Sequence, residues 1–307
     1  MTSPTATLLV SCPDQRGLVA KLANFIYING GNIIHADQHT DFAAGLFLSR
    51  IEWQLEGFNL PCDAIAAAFA VYAQHSFNLT SPSFDEVSNP QDSRSVPFPK
   101  ASWQLHFSDK VPRIAIWVSR QDHCLLDLIW RQRAKELQVE IPLIISNHPD
   151  LKGVAVQFGI DYHYLPLTQE NKAAQEAKQL SLLKQYNIDL VVLAKYMQIL
   201  SPDFIEQFSQ IINIHHSFLP AFAGANPYQR AYGRGVKIIG TTAHYVTPAL
   251  DEGPIIEQDV VRVSHRDDTT DLIRKGKDLE RVVLARAVRL HLQNRVLVYG
   301  NRTVVFA

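Results

Sequence analysis

The run Asp189-Leu190-Val191-Val192-Leu193-Ala194 constrains the fold more than any other feature of the chain. It carries no polar residue at alternate positions, so both faces of the strand it forms must be covered. That is the condition of a parallel strand with helices on either side. Arg113 to Val118, Ile141 to Ile145 and Ile211 to Ile214 are short apolar runs of the same kind. They alternate with helical patterns over Cys124 to Glu136 and Lys172 to Tyr186, the latter turning Leu180, Leu183 and Tyr186 inward. This βαβ rhythm predicts a mostly parallel sheet with helices on both faces. Ligands of such folds bind beyond the carboxyl ends of the strands, so the polar residues that follow each strand are the ones to inspect. A long amphipathic helix over Asp271 to Gln293 follows. Val296 to Tyr299 and Thr303 to Phe306 then form a hairpin around Gly300-Asn301.

The first hundred residues read differently, as β-α-β-β-α-β. Ala6 to Cys12 is a buried strand, Pro13 to Gly17 a turn, and Leu18 to Ile28 a helix with Leu22, Phe25 and Ile26 at helical spacing. Asn29-Gly30-Gly31 stops that helix. Asn32 to Thr40 and Gly45 to Leu55 are strands. In the second, Leu46, Leu48 and Glu52 lie on one face while Phe47 and Ile51 lie on the other, so its alternation is imperfect. Asp63 to His75 is Ala-rich and helical. Leu79 to Lys100 is rich in Ser, Pro and Asp and reads as an inserted loop, roughly 79–100, before a last strand over Trp103 to Phe107. The expected division is a first domain over 1–108 and a second over 109–307.

A chain of 307 residues has room for two such domains. The 29 Lys and Arg nearly balance the 30 Asp and Glu, for a net charge of −1. That removes the usual electrostatic argument for nucleic acid or an anionic membrane as partner. No apolar stretch approaches the ~20 residues that span a bilayer, and the N-terminal residues lack a secretory pattern. Cys12, Cys62 and Cys124 are far apart, with neither a disulfide framework nor a zinc spacing. A reducing, cytoplasmic setting and no metal are the expectations.

Two polar clusters remain. In an extended Asn213-Ile214-His215, the amide and the imidazole point to one side at a strand end. Each can donate a hydrogen bond to an oxygen that gains negative charge, the requirement for stabilising a tetrahedral oxyanion. His216 then points the other way. Asp251 comes 38 residues after Asn213, just before Gly253-Pro254, which makes a sharp turn. A carboxylate beside His215 favours the imidazolium, and it could equally orient or deprotonate a water. Taken singly, each cluster also fits a satisfied loop histidine or a solvated turn. His148, His163, His244 and His265 read as structural or surface residues.

Together, Asn213-Ile214-His215, Ser217-Phe218-Leu219-Pro220 and Asp251-Glu252-Gly253-Pro254-Ile255 resemble the signature of the folate-dependent formyltransferases. His215 to Phe222, Gly224 to Tyr228, Ala194 to Leu200 and Val298 to Asn301 narrow the resemblance to the formyltetrahydrofolate deformylase family, over almost the whole chain. The resemblance implies an α/β protein: a ferredoxin-like ACT domain followed by a Rossmann-like formyltransferase domain. It implies a cytoplasmic hydrolase that converts 10-formyltetrahydrofolate to tetrahydrofolate and formate, supplying formate for purine biosynthesis. No cofactor is implied. Asn213, His215 and Asp251 would be the catalytic trio, and Met197, Gln198, Ile199 and Leu200 would line the pterin site. An amino-acid effector such as glycine or methionine would bind the ACT-like part, and the chain would form a homo-oligomer.

Two other readings stay open at this level. One transfers the formyl group to an amine on a nucleotide sugar or a tRNA. Against it, Val118 to Cys124 lacks the glycine-rich phosphate loop of relatives that act on a ribonucleotide. The other makes the ACT-like part an amino-acid sensor with a degenerate enzyme attached; the retained Asn213, His215 and Asp251 oppose it.

Overall fold

The computed structural model describes residues 3–77, 101–221 and 227–306. The insertion expected at about 79–100 lies outside them, as do Phe222 to Asn226 of the resemblance motifs. The chain divides into two units. The first comprises residues 1–110 and 294–307, the second 111–293.

In the first unit β1 (Thr5–Pro13), β2 (Asn32–Asp41), β3 (Leu46–Gln54) and β4 (Ser102–Phe107) form an antiparallel sheet of order β2-β3-β1-β4. Helices α1 (Leu18–Ile28) and α2 (Cys62–Phe77) cover one face. Leu8, Val10, Phe47, Ile51 and Trp53 of the sheet pack there with Leu22, Phe25, Ile65 and Phe69. The opposite face presents Leu9, Leu46 and Leu48, and these bury against Leu297 and Phe306. Those two side chains come from the C-terminal hairpin, β12 (Val296–Tyr299) and β13 (Arg302–Val305). The tail therefore belongs with the first unit and not, as its position in the sequence suggested, with the second. The imperfect alternation of β3 has the same cause: both of its faces are covered, so both are apolar.

The second unit is built on a seven-stranded sheet of order β11-β10-β9-β8-β5-β6-β7. Strands β5 (Arg113–Val118), β6 (Glu140–Ser146), β7 (Asp161–Tyr164), β8 (Leu190–Leu193) and β9 (Ile211–His215) run parallel. β10 (Ile238–Tyr245) is antiparallel to β9 and to β11 (Ile255–Arg262). Ala115, Trp117, Val191 and Leu193 pack on one face, while Ile114, Ile116, Leu190 and Val192 are equally buried on the other. The helices are α3 (His123–Arg133), α4 (Lys152–Phe158), α5 (Lys172–Gln185), α6 (Pro202–Gln207), α7 (Pro227–Arg234) and α8 (Thr269–Leu292). α8 lies along β9, β10 and β11 and touches α3 and α7. No helix of the described residues is long and apolar enough to cross a membrane.

Candidate active site

The polar residues gather where β9 and β10 meet the turn after β10. In the antiparallel register Asn213 faces His244, and His215 faces Thr242. Asn213 and His215 share one side of β9, so both reach the same place. Asp251 arrives from the turn, in the left-handed region at φ 56, a conformation that costs a non-glycine residue energy and marks a site held by its surroundings. The hold is close. A Cβ on Gly253 would lie 1.8 Å from the Tyr245 carbonyl oxygen, so only glycine lets this turn press against β10.

The three expected residues converge. His215 Nδ1 lies 3.2 Å from Asp251 Oδ1, and His244 Nε2 lies 3.8 Å from the same oxygen and 3.2 Å from Asn213 Nδ2. The hydrogen bond from His215 lowers the Asp251 pKa against the opposing effect of burial, and the charge of His215 adds to the lowering. His244 is pushed towards its neutral form by burial. Its Nδ1 sits 2.9 Å from the Tyr245 carbonyl, which only accepts, so that nitrogen carries the proton. Nε2 is then an acceptor, and the Asn213 amide donates to it. His244, expected to be structural, thus orients one of the three site residues. His215 is 6% exposed, and its Nε2 is buried with no hydrogen-bond partner among the described residues. A polar atom left so in an interior costs free energy unless something else satisfies it.

His216 departs from the expected alternation. β9 ends at His215, and the His216 ring lies on that of His215, with centroids 4.7 Å apart and planes 21° apart. Of the four residues expected at a pterin site, Met197 and Ile199 are each 60% exposed and Gln198 is half-buried, whereas Leu200 belongs to the core beside Phe204. The Met197 amide donates to Ser119 Oγ at 3.0 Å, tying this segment to the end of β5.

Behind the site, His123, Cys124 and Glu280 bring one ligand-type atom each within 4.8 Å of one another. Both Glu280 oxygens are already engaged. Oε1 accepts from Lys195 at 3.2 Å and Tyr228 at 2.8 Å, and Oε2 meets His123 Nε2 at 2.7 Å. Burial opposes the charge on Glu280, but these donors outweigh it and hold the pKa at about 2. Burial beside that carboxylate pushes the Cys124 thiol well up, so the group is a network of hydrogen bonds around a carboxylate. Sequence reading missed it because its members lie up to 157 residues apart.

Comparison with known proteins fits this geometry. A formyl transferase family model matches residues 112–288 and an ACT domain model residues 6–52. The formyltetrahydrofolate deformylase of Synechocystis sp. is 66% identical over 307 residues, all of both chains. That of Bacillus subtilis is 46% identical over 97% of this chain and 93% of its own length. The crystal structure of a formyltetrahydrofolate deformylase from Pseudomonas syringae superposes with a TM-score of 0.89 at 41% identity, covering 100% of this chain and 95% of the other. With two domain models in the expected order and relatives matched from end to end, the chain belongs to the formyltetrahydrofolate deformylase family.

Proposed function

We propose that the chain hydrolyses 10-formyltetrahydrofolate to tetrahydrofolate and formate, with Asn213, His215 and Asp251 as its catalytic residues. Water adds to the formyl carbon, the C–N10 bond breaks, the water oxygen leaves in formate and a water proton ends on N10. Carbonyl oxygen becomes oxyanion on the way. The observation that carries the reading is the buried, unpartnered Nε2 of His215, whose other nitrogen is held by Asp251. Protonated, Nε2 donates to that oxyanion; the second N–H of Asn213 joins it while the first is engaged by His244. Asp251 holds the attacking water and passes its proton towards N10. No group need be supplied beyond these side chains and water, so no cofactor enters the scheme. Met197, Gln198 and Ile199 are the surface on which the pterin rests. Leu200 supports them from the core.

In the first unit, a pocket of about 580 Å³ lined by Asp14, Gln15, Gly17, Leu18, Gln38 and Thr40 seats a small amino-acid effector, glycine or methionine. Its ammonium group pairs with Asp14. The edge strands of that sheet among the described residues, β2 and β4, pair between copies to give a homo-oligomer. The setting is cytoplasmic, where the released formate serves purine biosynthesis. The deciding experiment is formate release from purified protein and 10-formyltetrahydrofolate with no amine present. Release at enzymatic rate supports the hydrolase; formate that appears only as a formyl group on an added amine would replace it with a transferase. Calorimetry with glycine and with methionine tests the pocket, and absence of heat with both removes the effector.

A further inference from the structure

The surroundings of His216 bear on where positive charge resides in the stacked pair. His216 Nδ1 lies 3.3 Å from Lys195 Nζ. An ammonium only donates, so Nδ1 accepts and the ring proton sits on Nε2, which makes His216 a neutral imidazole. Lys195 is 7% exposed and its charge is balanced by Glu280 at 3.2 Å, itself 1% exposed. Its backbone is left-handed, at φ 65, so its position is imposed by the fold at some cost. Tyr228 completes the arrangement. Its hydroxyl reaches Glu280 because position 276 is glycine: a Cβ there would lie 2.0 Å from that oxygen. Among the groups facing His216 are Lys195 after β8, His215 on β9 and the Tyr228 ring of α7, 6.4 Å away. Behind Lys195 stand Glu280 of α8 and His123 and Cys124 of α3, and Asp251 is a further charge that His216 feels.

We propose that Lys195, neutralised by Glu280, holds His216 as the neutral Nε2–H ring and so keeps the positive charge of the stacked pair on His215. Lys195 and His216 are then positioning residues for the hydrolysis proposed above, on which this inference rests. Two imidazolium rings at 4.7 Å would repel, and the ring that must donate to the oxyanion would lose its proton to the competition.

The test is the pH dependence of kcat on a 5,8-dideaza 10-formyl folate analogue, which cannot cyclise in acid. In Lys195→Met the ammonium that faces His216 Nδ1 is gone, so that nitrogen can take up a proton as the pH falls. Its kcat at pH 5.5 is expected to fall about tenfold below its own value at pH 8, with KM unchanged and no such fall in the wild type. The double variant Lys195→Met/His216→Phe stacks without titrating, and the acid fall disappears. A Lys195→Met profile parallel to wild type, or an acid fall that persists in the double variant, overturns the proposal. Nitrogen-15 NMR of the histidine-labelled wild type gives a readout independent of variants and turnover. His216 is expected protonated at Nε2 and bare at Nδ1 from pH 6 to 8; a proton on Nδ1 overturns the proposal whatever the activity. Failure of the wild type to release formate would instead strike the hydrolase reading and leave the NMR result to decide this one.

Discussion

Asn213 and His244 face each other across the β9–β10 pair, and their side chains meet at 3.2 Å, amide nitrogen to Nε2. The contact sets which end of the Asn213 amide points into the site. His244 can hold it because its own Nδ1–H is committed to the Tyr245 carbonyl and burial keeps the ring neutral.

Replacing His244 by Phe removes the acceptor and lets the amide rotate. The expected loss in kcat is about tenfold to a hundredfold, the usual scale for a misplaced catalytic group, with KM little changed. His244→Gln, whose side-chain oxygen accepts a hydrogen bond, recovers part of the rate. Steady-state kinetics of the two variants check this; equal loss in both would make His244 a packing residue.

Asp251 has a depressed pKa in the folded chain, chiefly through the His215 hydrogen bond. Its stabilising contribution is therefore present above the unfolded value of about 3.9 and is lost as pH falls through the lower, folded value. Wild-type turnover on the non-cyclising analogue is expected to have no acid limb from this group above about pH 4. Asp251→Asn keeps the shape and removes the charge, and kcat should drop by about a hundredfold to ten-thousandfold while the folate still binds. A variant that keeps a tenth of the activity would take the carboxylate out of the chemistry.

Glu280 remains ionised down to about pH 2, and its three donors are side chains from α3, α7 and the segment after β8. Glu280→Gln leaves the Lys195 ammonium buried without its counter-charge. Such losses cost about 3–5 kcal/mol, and replacing both partners by apolar groups costs far less. Denaturant melts of Glu280→Gln against Lys195→Met/Glu280→Leu measure the difference. Because the folded pKa is depressed, the stability that Glu280 contributes is full above about 4.3, its unfolded value, and disappears as pH falls towards 2.

The covered strands were legible because burial on both faces leaves an apolar run with few polar residues. Arg113–Val118 emerges from the sequence with the bounds it has in the structure. β7 and α4 were not, being four and seven residues long, with β7 carrying Asp161 and His163 within its length. β11 has no clear strand pattern, since its polar residues Glu257, Gln258 and Asp259 mask a strand that is half-exposed at a sheet edge. In the candidate site, a strand end and a Gly-Pro turn singled out Asn213, His215 and Asp251, but only the family resemblance grouped them, since each cluster alone also fits a structural role. His244 was not, because a histidine amid β-branched residues looks like core until β10 is known to pair antiparallel with β9. The Glu280 network depends on contacts between residues remote in sequence and has no local pattern.

Phe306 shows how the tail completes the first unit. With Leu297 it covers Leu9, Leu46 and Leu48 on the sheet face opposite α1 and α2. Phe306→Ala is expected to cost about 3–5 kcal/mol, since the ring is buried and the sheet cannot close over the space. Thermal melts followed by tryptophan fluorescence, with Trp53 in that sheet, report it. A loss below 1 kcal/mol would mean that the hairpin rests on the sheet without closing its core.

Gly253 offers the sharpest test of how the turn places Asp251. A methyl group there meets the Tyr245 carbonyl oxygen at 1.8 Å, and backbone on both sides must move to relieve it. Tyr245 N accepts nothing that could compensate: it donates to Pro254 O at 2.9 Å, so the same displacement weakens the bond that closes the turn. Asp251, two residues away, then withdraws from His215. Gly253→Ala should therefore lose kcat by about a hundredfold, the scale of a misplacement near 1 Å, while Gly235→Ala, with nothing within 4 Å of the added carbon, keeps its rate. Gly235 has φ 66, so that control pays a modest stability cost from the left-handed backbone alone, and comparing the two in the same melt separates strain from loss of alignment. If Gly253→Ala turned over as the wild type does, the position of Asp251 would not be set by this close approach.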